Sequence, residues 1–155
     1  MNSQGLRQGL FFGFNSGIIT TVGVLSSVAQ VTKNPYVLFV TLLSMAISDG
    51  ISEAYSLYFS KKAENVNDNS KEPLKSLIGV ISTKIIVTMS FLLPLLFTKD
   101  LRMYKNLSFP IVWSMILLIL IDSSIIKLRN EKIYDYLIPQ LGIIIFLVVM
   151  AKFFN

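Results

Sequence analysis

Five apolar segments, each close to the ~20 residues that a hydrocarbon core requires, take up most of the sequence and leave only short polar links. They cover residues 9–30, 36–60, 74–97, 108–127 and 134–153. A soluble core could satisfy so regular a series only by burying every segment on all sides. The expected fold is therefore all-α: an integral membrane bundle of five transmembrane helices, one transmembrane domain over residues 1–155. Composition agrees, with 53% hydrophobic and 15% charged side chains and a mean hydropathy of +0.64.

The links support this division. Lys33-Asn34-Pro35 separates the first two segments, since proline disfavours helix at the residue before it. Residues 61–73 make the longest and most polar link, expected to be a solvated loop. Residues 1–8 contain one arginine and no small-residue cleavage pattern, so the first segment reads as a retained helix and not a signal peptide. Pro94 and Pro139 are expected to kink or end their helices.

Basic residues set the orientation. Arg7, Lys61, Lys62, Lys71, Lys75, Lys127, Arg129 and Lys132 fall on the side of the amino terminus, against Lys33, Lys99, Arg102, Lys105 and Lys152 opposite. That excess predicts a multi-pass protein with a cytoplasmic amino terminus. Tyr36, Tyr58, Tyr104, Tyr134 and Tyr136 lie near segment ends, as interfacial anchors should.

Several kinds of chemistry are excluded. Without cysteine or histidine there can be no disulfide, no zinc knuckle and no Cys or His nucleophile system. Ser16 and Ser52 have no histidine to activate them, and no phosphate-cradling glycine loop is present. An enzyme or a nucleotide-driven pump is not expected, nor any resident cofactor. The net charge of +5 is scattered between apolar segments, which argues against nucleic acid as a partner. A metal ion held by side chains would need oxygen ligands, with methionine sulfur as the one soft helper. Mg, Ca, Mn or ferrous iron suits such a set.

Three charges interrupt the apolar segments. Asp49 and Glu53 stand one helical turn apart in the second, and Lys84 near the middle of the third. Each costs roughly 2.5–3.5 kcal/mol at a helix centre on insertion scales. Met45, Asp49, Ser52 or Glu53, Ser56 and Ser60 recur at three- and four-residue spacing and form a polar stripe. Two carboxylates so placed can share a divalent cation or a proton. Lys84 is then either a counter-charge displaced by the arriving cation or the permanent structural partner of Asp49.

The first segment contributes Gly13, Asn15, Ser16, Gly17, Thr20 and Gly23. Gly13-x-x-x-Gly17, with Thr20 and Gly23, is a small-residue face suited to helix packing or dimerisation. Asn15, Ser16 and Thr20 can also offer neutral oxygens to the cavity of Asp49. Asp122 is expected to be an interfacial carboxylate, and Gln140 to hydrogen-bond between helices.

The stretch from Gly13 to Gly23 (GFNSGIITTVG), followed by the stretch from Ala46 to Glu64 (AISDGISEAYSLYFSKKAE), resembles the vacuolar iron transporter family of divalent-cation/proton exchangers. Phe91-Leu-Leu-Pro94-Leu-Leu also looks like it, and the last two segments agree in number and hydropathy. The resemblance implies five spanning helices, an inward amino terminus and a homodimer. It departs at Ser16, where better-known members carry an aspartate, and at Glu53, where theirs continue Ser-Met. The glutamate-rich extension after their second helix is also missing.

Residues and resemblance together lead to one expectation: a homodimeric carrier in a lipid bilayer, exchanging a divalent cation such as ferrous iron or manganese, coupled to protons. Asp49 and Glu53 would be the principal ligands, Met45, Ser52, Asn15 and Ser16 the helpers, and Lys84 the counter-charge. The alternative is a non-transporting membrane scaffold or assembly subunit held by an Asp49–Lys84 pair.

Overall fold

The computed structural model describes residues 4–64, 71–98, 101–129 and 134–153. They form six helices: α1 (Gln4–Val31), α2 (Pro35–Glu64), α3 (Glu72–Thr98), α4 (Arg102–Lys105), α5 (Ser108–Arg129) and α6 (Tyr134–Phe153). Three of these, α1, α2 and α3, are long and apolar enough to cross a membrane. In α5 and α6 the apolar runs are shorter, over Ser108–Ser124 and Asp135–Met150.

Local chemistry accounts for the boundaries. Asn34 Oδ1 accepts the backbone N–H of Tyr36 at 2.9 Å, and Pro35 takes the first helical position, where its missing N–H has no cost. At its other end α2 runs on to Glu64, beyond the expected end at Ser60. The polar link is correspondingly shorter, and its middle, residues 65–70, lies outside the described residues. Pro94 and Pro139 both fall inside helices.

One helix was not foreseen. In the link after α3, α4 turns Tyr104 inward and Leu107, at φ 57°, reverses the chain into α5. Tyr104 is not the interfacial anchor that its position suggested. It is fully buried, its hydroxyl donates to the Phe91 carbonyl at 2.8 Å, and its ring meets Phe109 edge-on at 5.4 Å. Burial pushes the phenol up to about 12. Phe109 stacks in turn on Trp113, whose indole N–H donates to Ser90 Oγ at 3.0 Å.

The closest packing joins α1 to α3 in parallel. Gly5 faces Glu72, Gly9 faces Ser76, Gly13 faces Val80 and Gly17 faces Lys84, and Thr21 Oγ1 and Thr88 Oγ1 share a hydrogen bond at 3.0 Å. A Cβ at Gly5 or Gly9 would strike the carbonyl of Glu72 or Ser76, and at Gly13 it would lie 2.6 Å from that of Val80. The Gly13/Gly17 face is thus used within the chain. Gly23 meets Leu147 of α6, while Thr20 is half-buried with its hydroxyl on the Ser16 carbonyl. Asn15 with Gln140 and Gly23 with Leu147 set α6 parallel to α1, while the link of residues 32–34 turns α2 back.

Ile18, Val22 and Leu25 of α1, Leu38 and Leu42 of α2, and Phe91 and Leu92 of α3 make the centre of the core. Outward, Ile86, Phe97, Leu120, Ile145, Phe146 and Val149 remain exposed. A surface of that kind suits acyl chains and not water.

Candidate functional site

Lys84 lies at mid-length of α3 and is fully buried, with its ammonium directed at α2. Two small residues make room for it. Gly17 of α1 comes within 3.5 Å of the lysine backbone and Gly50 of α2 within 3.6 Å of its stem, each measured from where a Cβ would stand. The ammonium pairs with Asp49 Oδ2 and also with Glu53 Oε2, the latter at 2.7 Å. Ser16 Oγ donates to the same Glu53 oxygen at 2.7 Å. Three helices therefore meet through side chains near the middle of each.

The electrostatics follow from the count of charges. A lone buried ammonium would cost several kcal/mol, so a carboxylate partner is what burial demands. With all three ionised, the cluster still carries one negative charge in excess. It is also open on one side: the carboxylate side chains are 33% and 23% exposed, at Asp49 and Glu53, against 0% for Lys84. Among the described residues no three Asp, Glu, His or Cys side chains gather around one point. A cation at this site would have two carboxylates and neutral oxygens as ligands.

The other expected ligands go elsewhere. Met45 packs against the apolar core. Ser52 is exposed, its carbonyl accepting the Ser56 hydroxyl at 2.9 Å, because a residue three positions from Asp49 is turned about 60° from it round the helix. Asn15, next to Ser16, is turned away from the carboxylates, and its Oδ1 accepts from Gln140 Nε2 at 3.0 Å. Ser16 alone of the four helpers joins the cluster. Asp122, expected at an interface, is fully buried beside Gln140.

Two features go beyond the expected stripe of Met45, Asp49, Ser52 or Glu53, Ser56 and Ser60. Ser44, Ser48, Ser52, Ser56 and Ser60 form a column at four-residue spacing, all exposed, along the edge where Asp49 and Glu53 are open. Counting the serines alone would have found it. A cavity of about 540 Å³ also lies between the start of α1 and the end of α2, lined by Arg7, Gln8, Phe12, Leu57, Ser60 and Lys61 among others. Leu57 is one helical turn from Glu53. Only the packing of the helices brings these residues together.

The fold and the cluster thus define a helical protein suited to a membrane, with a buried ammonium–dicarboxylate centre. No protein-family model matches the chain, and no curated protein or solved structure matches it.

Proposed function

We propose that this chain is a carrier for a divalent cation such as ferrous iron or manganese, related to the vacuolar iron transporters, with five spans and an inward amino terminus. One observation carries the reading: a half-open carboxylate pair at mid-helix whose present cation is a tethered ammonium. An arriving divalent ion would take the carboxylate oxygens and release Lys84, so ion binding and a shift of α3 against α2 become one event. Antiparallel return of α2 and parallel alignment of α6 with α1 are what alternate crossing by five spans requires.

Metal addition to purified protein should raise the unfolding temperature in the order set by ligand preference, with Mn and ferrous iron above Ca and Mg. The shift should vanish in Asp49→Asn. Equal, small shifts for every ion, unaltered in that variant, would reject the site.

The serine column supports the homodimer. Carboxylates open at bilayer depth are costly against lipid, and a self-complementary small-residue face on the same edge would cover them with a second copy. Because the chain has no cysteine, Ser48→Cys or Ser52→Cys should give disulfide-linked dimers on oxidation, whereas Ile86→Cys on the outer face of α3 should not. Absence of linkage at both serines would exclude α2 as the shared face.

A second reading also has an observation in its favour: both carboxylates are already satisfied by Lys84. On that reading the cluster is a structural tie in a scaffold or assembly subunit, and metal would leave the unfolding temperature unchanged.

A further inference from the structure

Asp122 lies outside the lysine cluster and presents a different problem. It is fully buried on α5, and Gln140, its neighbour on α6, is 8% exposed. Asp122 Oδ1 is 3.5 Å from Gln140 Nε2, at the limit of a hydrogen bond, and that same nitrogen donates to Asn15 Oδ1 at 3.0 Å. Asp122 Oδ2 and Gln140 Oε1 have no partner. Two adjacent buried groups are thus left with an acceptor each and no donor between them, which native interiors rarely tolerate.

A cation is one remedy, but the surroundings supply none. No ion pair to Asp122 forms among the described residues. On the helices that touch α5, the described ionisable side chains are Arg7 on α1, the mutually paired Glu72 and Lys75 together with Lys84 on α3, Arg102, Tyr104 and Lys105 on α4, and Asp135 and Tyr136 on α6. Arg7 lines the cavity at the start of α1, two turns before Asn15, and the Tyr104 hydroxyl is spent on Phe91. On α3, Lys84 is held by Asp49 and Glu53. A proton is another remedy, and one is enough for both atoms. With hydrogen on Oδ2, the carboxyl becomes neutral and donates to the amide oxygen of Gln140, while Gln140 Nε2 keeps its bond to Asn15.

We infer that Asp122 is a proton-binding site, the proton being shared with Gln140 Oε1. The position of Asn15 gives it a link to the cluster. Asn15 and Ser16 are consecutive on α1, one bonded to Gln140 and the other to Glu53. Displacement of the α1–α3 pair relative to α2 and α6 disturbs both sites together, so loss of the Asp122 proton and release of Glu53 can accompany each other. This coupling rests on the carrier reading; the occupancy of Asp122 does not.

Infrared difference spectroscopy of the full chain at neutral pH tests the occupancy. The expected result is a protonated-carboxyl stretching band, sensitive to deuterium exchange, that disappears in Asp122→Asn. That variant should fold, since its amide N–H supplies the donor that Gln140 Oε1 needs. In Gln140→Met the band should move to higher frequency as the carboxyl loses its acceptor. A band unchanged in Asp122→Asn, or unmoved in Gln140→Met, overturns the inference. For the coupling, manganese uptake by proteoliposomes should depend on an imposed pH gradient in the native chain and lose that dependence in Asp122→Asn; retained dependence overturns the link. If the native chain takes up no manganese, the carrier reading fails while the infrared result still decides the proton.

Discussion

Replacing Lys84 by methionine is expected to destabilise the protein by about 3–5 kcal/mol, while Asp49→Asn and Glu53→Gln each leave it folded. The asymmetry comes from the count of charges. Removing Lys84 leaves two carboxylates, one turn apart and partly buried, with no cation between them, which is the costly way to break a buried pair. Removing either carboxylate leaves a neutral lysine–carboxylate pair. On the carrier reading, the two carboxylate variants are then well-folded proteins that move no ion, and manganese uptake by proteoliposomes should fall to background in both. Undiminished uptake by both would falsify the site. On the scaffold reading the stability pattern is the same but no variant, nor the native chain, accumulates metal. The double variant Asp49→Asn with Lys84→Met adds a check: it keeps one carboxylate beside Ser16 and no ammonium, and should recover much of the stability lost in Lys84→Met. Thermal unfolding in detergent measures all four.

Gly9→Ala and Gly13→Ala should each lower stability by about 1–3 kcal/mol, although alanine is the better helix former by about 1 kcal/mol. At both positions the added methyl group would meet backbone of α3, the Ser76 carbonyl at Gly9 and the Val80 carbonyl at Gly13. Backbone cannot swing aside as a side chain can, so the helices must separate, and contacts loosen along the whole α1–α3 face. Gly142→Ala is the control. Nothing lies within 4 Å of a Cβ there, so it should be neutral or slightly stabilising. Unfolding temperatures followed by size-exclusion in detergent would compare the three. A drop at Gly142 equal to that at Gly9 would remove the steric explanation.

Much of the fold was legible because apolar length and polar punctuation are local properties. The long helices begin and end within a few residues of where hydropathy, Pro35 and the polar links place them. The helix α4 was not, since four residues carry no periodicity and the inward turn of Tyr104 depends on Phe91 and Phe109 from other elements. At the site, Lys84 and Asp49 could be paired by depth alone. That Glu53 shares the same ammonium depends on the azimuth at which α3 meets α2, set by Gly17 and Gly50 and invisible in one helix read by itself. The same limit explains Asn15 and Ser16. Neighbours in sequence point about 100° apart on a helix, so only one of them could reach the cluster, and the choice was made by α6. The burial of Asp122 was hidden for a related reason. Distance along the chain from Lys127 said nothing of Gln140, which covers it from another helix.

Two helices seated carbonyl against glycine through several turns behave as a single beam. Sliding one along the other by less than a full turn would drive Cα hydrogens into oxygen atoms, and sliding by a full turn would set Gly9 and Gly13 against different residues. Ser16 and Lys84 belong one to each helix of that beam and reach the same oxygen of Glu53 on α2. Whatever opens the carboxylate pair must therefore move α2 relative to the α1–α3 frame, about the short turn at Thr32–Asn34.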